Sequence, residues 1–246
     1  MRFLRRIHTA WGSLVFFVLF ILFFFPLLIP IFFPKKFNWV AVLNRAWAKL
    51  LFIFCILPYR VECRTPLSNR RQYIFCPNHF SYLDIPTMGL NPVNTIFVGK
   101  NDMEKVLLFG FMYKKLHITV DRARLKSKYD TFLKSKQAID DGKSLVLYPE
   151  GGIFTEHPPA MMRFKDGAFR LAIEKQIPIV PVTIPYNWII LPPDEFLLRQ
   201  GNIKVIFHEP IETRGMTLDD TDQLKLRVFE IIDQELKRYA NRQGAA

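Results

Sequence analysis

The chain has 246 residues and a mass of 29.0 kDa, long enough for one sizeable α/β domain with an appendage. Half of the residues are hydrophobic and 24 are phenylalanine, which excludes a disordered chain. A formal net charge of +12 indicates an anionic partner: nucleic acid, a membrane surface or a phosphorylated substrate. The three cysteines, Cys55, Cys63 and Cys76, have no metal-like spacing and argue against a disulfide scaffold or a zinc ribbon.

The N-terminal segment is strongly apolar, because no residue from Thr9 to Pro34 carries a charge. A continuous helix over this run would reach about 39 Å, enough to cross a bilayer. We expect Pro26 and Pro30 to break or kink the helix, which leaves an uninterrupted part, Ala10–Phe25, of only about 24 Å.

Basic residues flank both ends of this run, so the positive-inside rule favours neither orientation. One arrangement keeps both ends cytoplasmic, with the kinked segment entering one leaflet and returning. In the following segment, Trp39–Leu57, Arg45 and Lys49 share one helical face and apolar residues fill the remainder, which is typical of an interfacial amphipathic helix. The alternative is a tilted spanning helix followed by a buried core helix. We predict that residues 1–57 form a membrane-embedded two-helix motif.

From Pro58 onward, short β-rich runs alternate with helix-like windows. This alternation predicts an α/β fold with a mostly parallel sheet flanked by helices, over a domain of residues 58–246. The predicted strands are Tyr73–Cys76, Thr95–Val98, Ile118–Val120, Ser144–Tyr148, Ile179–Ile184 and Lys204–Phe207. The predicted helices are Tyr82–Leu90, Lys105–Lys115, Lys126–Asp140, Lys165–Lys175 and a last one from about Leu224 to Tyr239.

Several common functional signatures are missing from the sequence. It contains no dinucleotide-binding glycine run, no phosphate-binding P-loop and no serine elbow of the G-x-S-x-G kind. The basic stretch from Lys100 to Lys128 belongs to no recognisable nucleic-acid module. We therefore expect a membrane surface or a phosphorylated substrate as the anionic partner, and no nucleic acid.

The sharpest local feature is CPNHFSYLDIP, residues 76–86, in which His79 follows a predicted strand and Asp84 lies five positions later. Five residues rotate an ideal helix by about 140°, so the two side chains would not share a helical face. They can meet if His79 lies in a loop and Asp84 in the first turn of the next helix. A carboxylate bonded to one imidazole nitrogen leaves the other nitrogen free to act as a base. The alternative is a capping aspartate beside a solvated histidine.

Three more segments favour a functional interpretation. YPEGG, residues 148–152, lets the backbone approach a ligand at Gly151 and Gly152. HITVDR places Arg122 directly after a predicted strand, and IPIVPVTIP, residues 177–185, is an apolar strand punctuated by prolines.

With these segments the sequence resembles the glycerolipid acyltransferases typified by lysophosphatidic acid acyltransferase. NHFSYLD matches the family's first block, and GKNDMEKVLLFGFMYKKLHITVDR resembles the second, with Lys100 and Arg122 at its marker positions. YPEGG matches the start of the third block, and IVPVTI looks like the fourth. The four blocks occur in order across residues 74–184.

The resemblance implies a membrane-bound enzyme of phospholipid biosynthesis. It would move a fatty acyl group from an acyl thioester to the free hydroxyl of lysophosphatidic acid, forming phosphatidic acid. His79 would take the hydroxyl proton and Asp84 would orient His79, while Glu150 would order its loop or bind an acceptor hydroxyl. Backbone N–H groups around Gly151 and Gly152 are candidates to stabilise the oxyanion. No metal or bound cofactor is expected, because the thioester is a substrate.

One departure from the family concerns the third block, which usually continues glutamate, glycine, threonine, arginine, with the arginine implicated in holding the acceptor's phosphate. This chain has Ile153 at the arginine position. We expect Lys100, together with Arg122 or Arg163, to supply the phosphate contact, and Lys165 is another nearby candidate. The rival interpretation is an acceptor without a phosphate monoester, such as a lyso-aminolipid.

Two other functional classes remain open: a non-catalytic protein that binds anionic lipid, and a lipid hydrolase in which the His79–Asp84 pair activates water. The expected partners are the lipid bilayer, a lysophospholipid acceptor and an acyl-CoA or acyl carrier protein donor. The expected location is the cytoplasmic face of a membrane, the bacterial inner membrane. Apolar residues around Phe109–Tyr113 are candidates to line a tunnel for the acyl chain.

Overall fold

The computed structural model describes residues 2–100, 108–121, 124–154 and 157–243. The helices are α1 (Arg2–Phe32), α2 (Asn38–Phe54), α3 (Asp84–Met88), α4 (Phe109–Leu116), α5 (Leu125–Asp140), α6 (Gly167–Lys175), α7 (Asn187–Ile190) and α8 (Thr221–Gln243). The strands are β1 (Tyr59–Cys63), β2 (Ile74–Pro77), β3 (Thr95–Lys100), β4 (Ile118–Val120), β5 (Ser144–Leu147), β6 (Ile179–Thr183) and β7 (Ile203–Phe207).

The strands form one sheet in the order β1-β7-β6-β2-β5-β3-β4. Neighbouring strands run parallel except for β6 and β7, which are antiparallel. This arrangement confirms the predicted α/β class with a mostly parallel sheet. Because β2, β5, β3 and β4 are consecutive and parallel, the segments that follow them all leave the same edge of the sheet, where α/β proteins bind ligands.

The central strands are apolar on both faces because each face packs against a separate hydrophobic core. Ile74 of β2 and Leu145 of β5 join the core formed with α6 and α8, whereas the next residues, Phe75 and Val146, join the core on the opposite face. Strands buried on both faces give continuous apolar runs, which explains why they could be predicted from the sequence.

Three elements differ from the prediction. The short strand β1 was missed because its sequence, YRVEC, contains two charged residues and has a weak apolar pattern. The pairing of β1 with β7 places Val61 opposite Val205, so tertiary contact compensates for the weak local signal. The four-residue helix α7 was also missed, and the antiparallel β7 departs from simple β–α alternation.

The two N-terminal helices form an antiparallel pair. The indole N–H of Trp11 in α1 donates to the carbonyl of Phe54 in α2 (2.8 Å). Further along, the rings of Phe16 and Trp47 meet edge to face, with centroids 5.6 Å apart. The predicted two-helix motif is therefore present.

Helix α1 continues through Pro26 and Pro30, so of the two expected effects of these prolines, a break or a kink, the break is wrong. Leu27 and Pro30 are buried, and Leu27 packs with Val40 of α2 and Met112 of α4, which supports the helix where backbone hydrogen bonds are lost. By length and composition, this one helix of the described chain could cross a membrane.

Helix α2 packs on the domain rather than lying only at an interface. Ala48 and Phe52 are buried in a cluster that also contains Leu83 and Ile203. Arg45 donates hydrogen bonds to the carbonyl of Asn91 and to the side chain of Asn94, so it is directed at the domain. The alternative of a packed core helix therefore describes one face of α2, while Trp39, Val42 and Ile53 stay exposed on other parts of its surface.

Candidate active site

The site lies where the adjacent parallel strands β2 and β5 end. Strand β2 ends at Pro77, immediately before Asn78 and His79, and β5 ends at Leu147, three residues before Glu150. The carboxamide of Asn78 exchanges two hydrogen bonds with the backbone of Ile184 (2.7 and 3.0 Å), which fixes the start of the histidine loop against the end of β6.

His79 and Asp84 meet as the sequence predicts, with the histidine in a loop and the aspartate at the first position of α3. His79 Nδ1 lies 3.0 Å from Asp84 Oδ2. Asp84 is fully buried, whereas His79 keeps 9% of its surface exposed. With Nδ1 held by the carboxylate, Nε2 is the ring nitrogen that can accept a proton.

The Asp84 carboxylate is held by four hydrogen bonds. Besides His79, its Oδ2 accepts the backbone N–H groups of Phe80 and Ser81, both at 2.8 Å. Its Oδ1 accepts the side-chain N–H of Asn187 (2.9 Å), which also donates to Thr87 Oγ1 (2.8 Å). Buried carboxylates need such partners, and this network fixes Asp84 in one orientation.

Glu150 is 2% exposed and ties two loops together. Its Oε1 accepts the backbone N–H of His79 (2.7 Å), and its Oε2 accepts the backbone N–H of Met162 (2.9 Å). Burial raises the pKa of Glu150 to about 7; the two backbone N–H donors oppose this rise and the nearby Asp84 carboxylate adds to it. Both oxygens are thus engaged by the backbone, which supports loop ordering over contact with an acceptor hydroxyl.

Tyr148 forms one wall of the site. Its ring stacks on the imidazole of His79, with centroids 4.0 Å apart and planes 24° apart. Its hydroxyl donates to the backbone carbonyl of Asp84 (2.9 Å). Burial, with the Asp84 carboxylate as a second cause, raises the pKa of Tyr148, so the phenol stays protonated and keeps this bond.

The glycine turn approaches the end of a lysine side chain. Gly151 has φ +83°, and a Cβ added there would collide with Lys165 Nζ. The two loops are joined because Lys165 N–H donates to the carbonyl of Pro149 (2.9 Å). The N–H of Gly151 donates to the carbonyl of Tyr148 (3.0 Å), so it is already engaged in a turn. Of the two glycines, Gly152 therefore remains as the candidate oxyanion donor.

The other predicted substrate contacts are spread around this edge. Arg163 lines a surface groove with Lys225 and Phe229 of α8, on the side that faces that helix. Lys100 is the last residue of β3, and its backbone pairs with Val120 at the same sheet edge as the histidine loop. The side chain of Lys100 and all of Arg122 lie outside the described residues.

Two residues of the site were missed by sequence reasoning. Asn187 lies more than 100 positions from its partner Asp84, at the start of a four-residue helix, so no local spacing could reveal the contact. Tyr148 stands directly before the Pro-Glu-Gly-Gly turn, and its aromatic character beside that turn was a signal that could have indicated contact with the histidine.

The fold and the site together define an α/β protein in which a buried aspartate is hydrogen-bonded to a partly exposed histidine. The acyltransferase family model matches residues 59–185, more than half of the chain. The chain therefore belongs to the acyltransferase family.

Several relatives share this similarity. The 1-acyl-sn-glycerol-3-phosphate acyltransferase of Saccharomyces cerevisiae is 29% identical over 171 residues, covering 68% of this chain and 56% of the relative. The protein of the same name from Haemophilus influenzae is 27% identical over 206 residues, covering 80% of this chain and 81% of the relative. This chain thus spans only a little more than half the length of the yeast relative.

The fold is also that of a solved structure. The crystal structure of the 1-acyl-sn-glycerophosphate (LPA) acyltransferase PlsC from Thermotoga maritima superposes with a TM-score of 0.78. The match covers 96% of this chain and 98% of that chain at 20% sequence identity. At this identity the similarity establishes the shared fold, including the N-terminal helices.

Proposed function

We propose that this protein transfers a fatty acyl group from an acyl thioester to the free hydroxyl of lysophosphatidic acid, forming phosphatidic acid. The observation that carries this proposal is the pair His79 Nδ1–Asp84 Oδ2 at 3.0 Å, which leaves Nε2 as a base at the sheet edge. Family membership supports acyl transfer, and the printed names of the yeast and Haemophilus relatives support this acceptor.

The proposed reaction is direct attack by the acceptor. Nε2 of His79 takes the proton of the acceptor hydroxyl as its oxygen attacks the thioester carbonyl carbon. The carbon–sulfur bond then breaks, and the leaving thiolate takes the proton back from Nε2. Asp84 stabilises the imidazolium that forms in between, and the N–H of Gly152 is the candidate donor to the oxyanion. These steps use no metal or bound cofactor, and the thioester is a co-substrate.

The acceptor's phosphate needs cations, because its charge near neutral pH is about −1.5 to −2. We propose that Lys165 takes the role left open by Ile153, since its ammonium already lies over Gly151 in the same turn. Lys100, together with Arg122 or Arg163, remains proposed as the second source of positive charge at this edge.

The acyl chain of the donor is proposed to lie in an apolar cavity of about 250 Å³, called here the donor cavity. Its lining includes Phe20 and Phe23 of α1, Phe97 of β3, and Met112 and Tyr113 of α4. The lining includes the Phe109–Tyr113 segment in which the sequence suggested a tunnel. Such a mainly apolar cavity suits a hydrocarbon chain.

Membrane attachment is supported by the apolar helix α1 and by the relatives, and we propose that α1 lies in one leaflet without crossing it. Both ends of α1 contact the catalytic domain. Near one end the N–H of Leu198 donates to Thr9 Oγ1 (2.9 Å), and near the other end Leu27 packs with Met112 and Leu116 of α4. A spanning helix would carry one of these ends to the opposite side, away from the domain.

An exposed apolar stripe on α1 supports the same arrangement. Residues at helical spacing along it are all more than 45% exposed: Trp11, Leu14, Phe17, Ile21 and Phe25. A stripe along the length of a helix suits a membrane interface. Cysteines introduced at Arg5 and Lys36, in a Cys63→Ser background, test this topology: labelling from the same face agrees with the proposal, and labelling from opposite faces contradicts it.

This topology lets a lysolipid reach His79 from the bilayer while a soluble donor arrives from the cytoplasm. We propose acyl-CoA or acyl carrier protein as that donor and the cytoplasmic face of the bacterial inner membrane as the location.

The test uses purified protein in detergent or vesicles with lysophosphatidic acid and a panel of acyl-CoA and acyl carrier protein donors. Phosphatidic acid should form in wild type, and His79→Ala should lose this activity while His157→Ala, at an exposed histidine, keeps it. Free fatty acid formed without added lysolipid would indicate a hydrolase, and lipid binding without either product would indicate a binding protein. Wild-type turnover in His79→Ala would falsify the general-base assignment.

A second acceptor class is favoured by one observation, the Ile153 position. An uncharged or zwitterionic lysolipid, including a lyso-aminolipid, should therefore be compared with lysophosphatidic acid in wild type and in Lys100→Ala. A marked preference for the uncharged acceptor that does not depend on Lys100 would leave the transfer chemistry standing and overturn the phosphate assignment.

A further inference from the structure

A second apolar cavity lies beside the donor cavity. It has a volume of about 350 Å³ and is bounded by α1, the end of α2 and the segment after α7. Its lining includes Ser13, Phe17, Phe52, Leu57, Leu191 and Leu198. Phe16, Tyr82 and Pro86 line both cavities, so these three side chains form a partition between them.

The partition belongs to the same loop and helix that carry the reacting pair. Tyr82 lies between His79 and Asp84 in the sequence, and Pro86 is in the first turn of α3. The far wall of the second cavity is tied to this loop, because Ser81 Oγ donates to the backbone carbonyl of Leu191 (2.7 Å). Both apolar cavities therefore adjoin the segment that holds the base.

The second cavity is open toward the exposed apolar stripe of α1. Its wall includes Phe17, which is 61% exposed, and Phe196, which is 53% exposed. The α1 residues that line only the donor cavity are Phe20, Phe23 and Leu27, which face α2 and α4 and are buried or half-buried. A hydrocarbon chain in the bilayer can thus reach the second cavity sideways, past Phe17.

We propose that the second cavity binds the hydrocarbon chain that the lysolipid acceptor already carries. This inference rests on the proposed acyl transfer, in which two lipids, each with one chain, must meet at His79 Nε2. Two mainly apolar cavities separated by the partition of Phe16, Tyr82 and Pro86 match that requirement. One chain would lie on each side, with the reacting groups at the loop between them. Because the second cavity opens to the exposed apolar stripe of α1, we assign this cavity to the substrate that resides in the membrane.

The expected effect is on orientation more than on affinity. Moving a chain from the bilayer into an apolar cavity exchanges one apolar environment for another, so little hydrophobic free energy is gained. Holding the chain instead restricts where the hydroxyl of the acceptor can lie relative to His79. The cavity should therefore matter for long-chain acceptors and be nearly irrelevant for short ones.

The test compares acceptors of two chain lengths at one fixed donor. Ser13→Trp places a large ring at the rim of the second cavity and should lower kcat/KM for lysophosphatidic acid with a 16-carbon chain at least fivefold. The same variant should leave kcat/KM for an acceptor with an 8-carbon chain within twofold of wild type, and leave the donor chain-length profile unchanged. Leu14→Trp, at the adjacent exposed position outside the cavity lining, is the matched control and should behave as wild type.

A labelling experiment on wild type guards against a folding defect in Ser13→Trp. Lysophosphatidic acid with a diazirine at the end of its chain should crosslink to peptides that contain Phe52, Leu57 or Leu198, and an acyl-CoA with the same group to peptides that contain Phe97 or Met112. This inference would be overturned if Ser13→Trp lowered kcat/KM equally for both acceptor lengths or shifted the donor chain-length profile. It would also be overturned if the acceptor crosslinked only to the donor cavity or to bulk lipid. Absence of phosphatidic acid formation in wild type would instead overturn the proposed function itself.

Discussion

Replacing Asp84 by asparagine separates its electrostatic role from its structural one. The carboxamide oxygen of Asp84→Asn can still accept from His79 Nδ1 and from the N–H groups of Phe80 and Ser81. Its NH₂ group would then face Asn187, whose own Oδ1 has no hydrogen-bond partner in the described structure and can accept if the amide flips. The isosteric change therefore keeps most contacts and removes the charge.

The two expected effects differ greatly in size. Each of the three bonds to the oxygen changes from charge-assisted to neutral and weakens by about 1 kcal/mol, and relief from burying a charge offsets part of the sum. We therefore expect a loss of about 1–3 kcal/mol in the free energy of unfolding. The imidazolium formed during transfer loses its carboxylate partner at 3.0 Å, which should lower kcat by roughly 10³–10⁴, the scale seen for the equivalent change in Ser-His-Asp triads.

The assay follows thiol release from acyl-CoA in the presence of lysophosphatidic acid, and urea unfolding gives the stability of the same preparations. Thr87→Val is the matched control: it removes the buried hydroxyl that accepts from Asn187 and should lower stability by a similar amount without touching the His79–Asp84 contact. Its kcat should stay within about fivefold of wild type. A kcat for Asp84→Asn within tenfold of wild type, or equal losses in the two variants, would refute the reasoning.

Three further predictions concern the surrounding residues. The pKa of Glu150 is raised from an ordinary 4.5 to about 7. Between these two pH values, Glu150 is protonated in the folded protein and ionised in the unfolded chain. The free energy of unfolding should therefore fall by up to about 3 kcal/mol as pH rises through that window, and urea titrations of Glu150→Gln should lack this slope. Tyr148→Phe keeps the ring stacked on His79 but loses the hydrogen bond to the carbonyl of Asp84. The free energy of unfolding should therefore fall by about 0.5–1.5 kcal/mol, and kcat should stay within threefold of wild type. Tyr148→Ala also removes the ring and should lower kcat at least tenfold in the same assays. In steady-state kinetics, Lys165→Met should raise KM for lysophosphatidic acid about tenfold or more and leave KM for the donor unchanged. Equal changes in KM for both substrates would contradict a phosphate contact. Failure of Lys165→Arg to restore KM would contradict it as well.

The features that could be predicted from the sequence are those set by residues close together in the chain. The central strands were predictable because burial on both faces makes them continuously apolar. The His79–Asp84 contact was predictable because a loop histidine can reach an aspartate in the first turn of the helix that follows. Weak elements such as β1 escaped, since a half-exposed edge strand with charged residues is stabilised by its neighbour β7 rather than by its own pattern.

The remaining features depend on contacts between distant parts of the chain. The continuous α1 is one case: proline chemistry predicts a break or a kink, but packing of Leu27 against α2 and α4 supports a helix that continues past both prolines. The hydrogen bond from Asn187 to Asp84 is another, because only the sheet order brings the end of β6 beside the loop after β2. Neither could be derived from propensity or spacing.

In the proposed function, the position of Lys165 offers a physical reason why this chain can carry Ile153 where the third block usually has arginine. The loop with Lys165 is fastened to the glycine turn twice, by its own N–H to the carbonyl of Pro149 and by the Met162 N–H to Glu150 Oε2. Because the backbone of one loop is fixed against the other, a cation from either can reach the space above Gly151. The carboxylate of Glu150 also accepts the N–H of His79, so the same side chain fixes both the base and the lysine-bearing loop. A cation supplied from position 165 can therefore serve the same turn as one supplied from position 153.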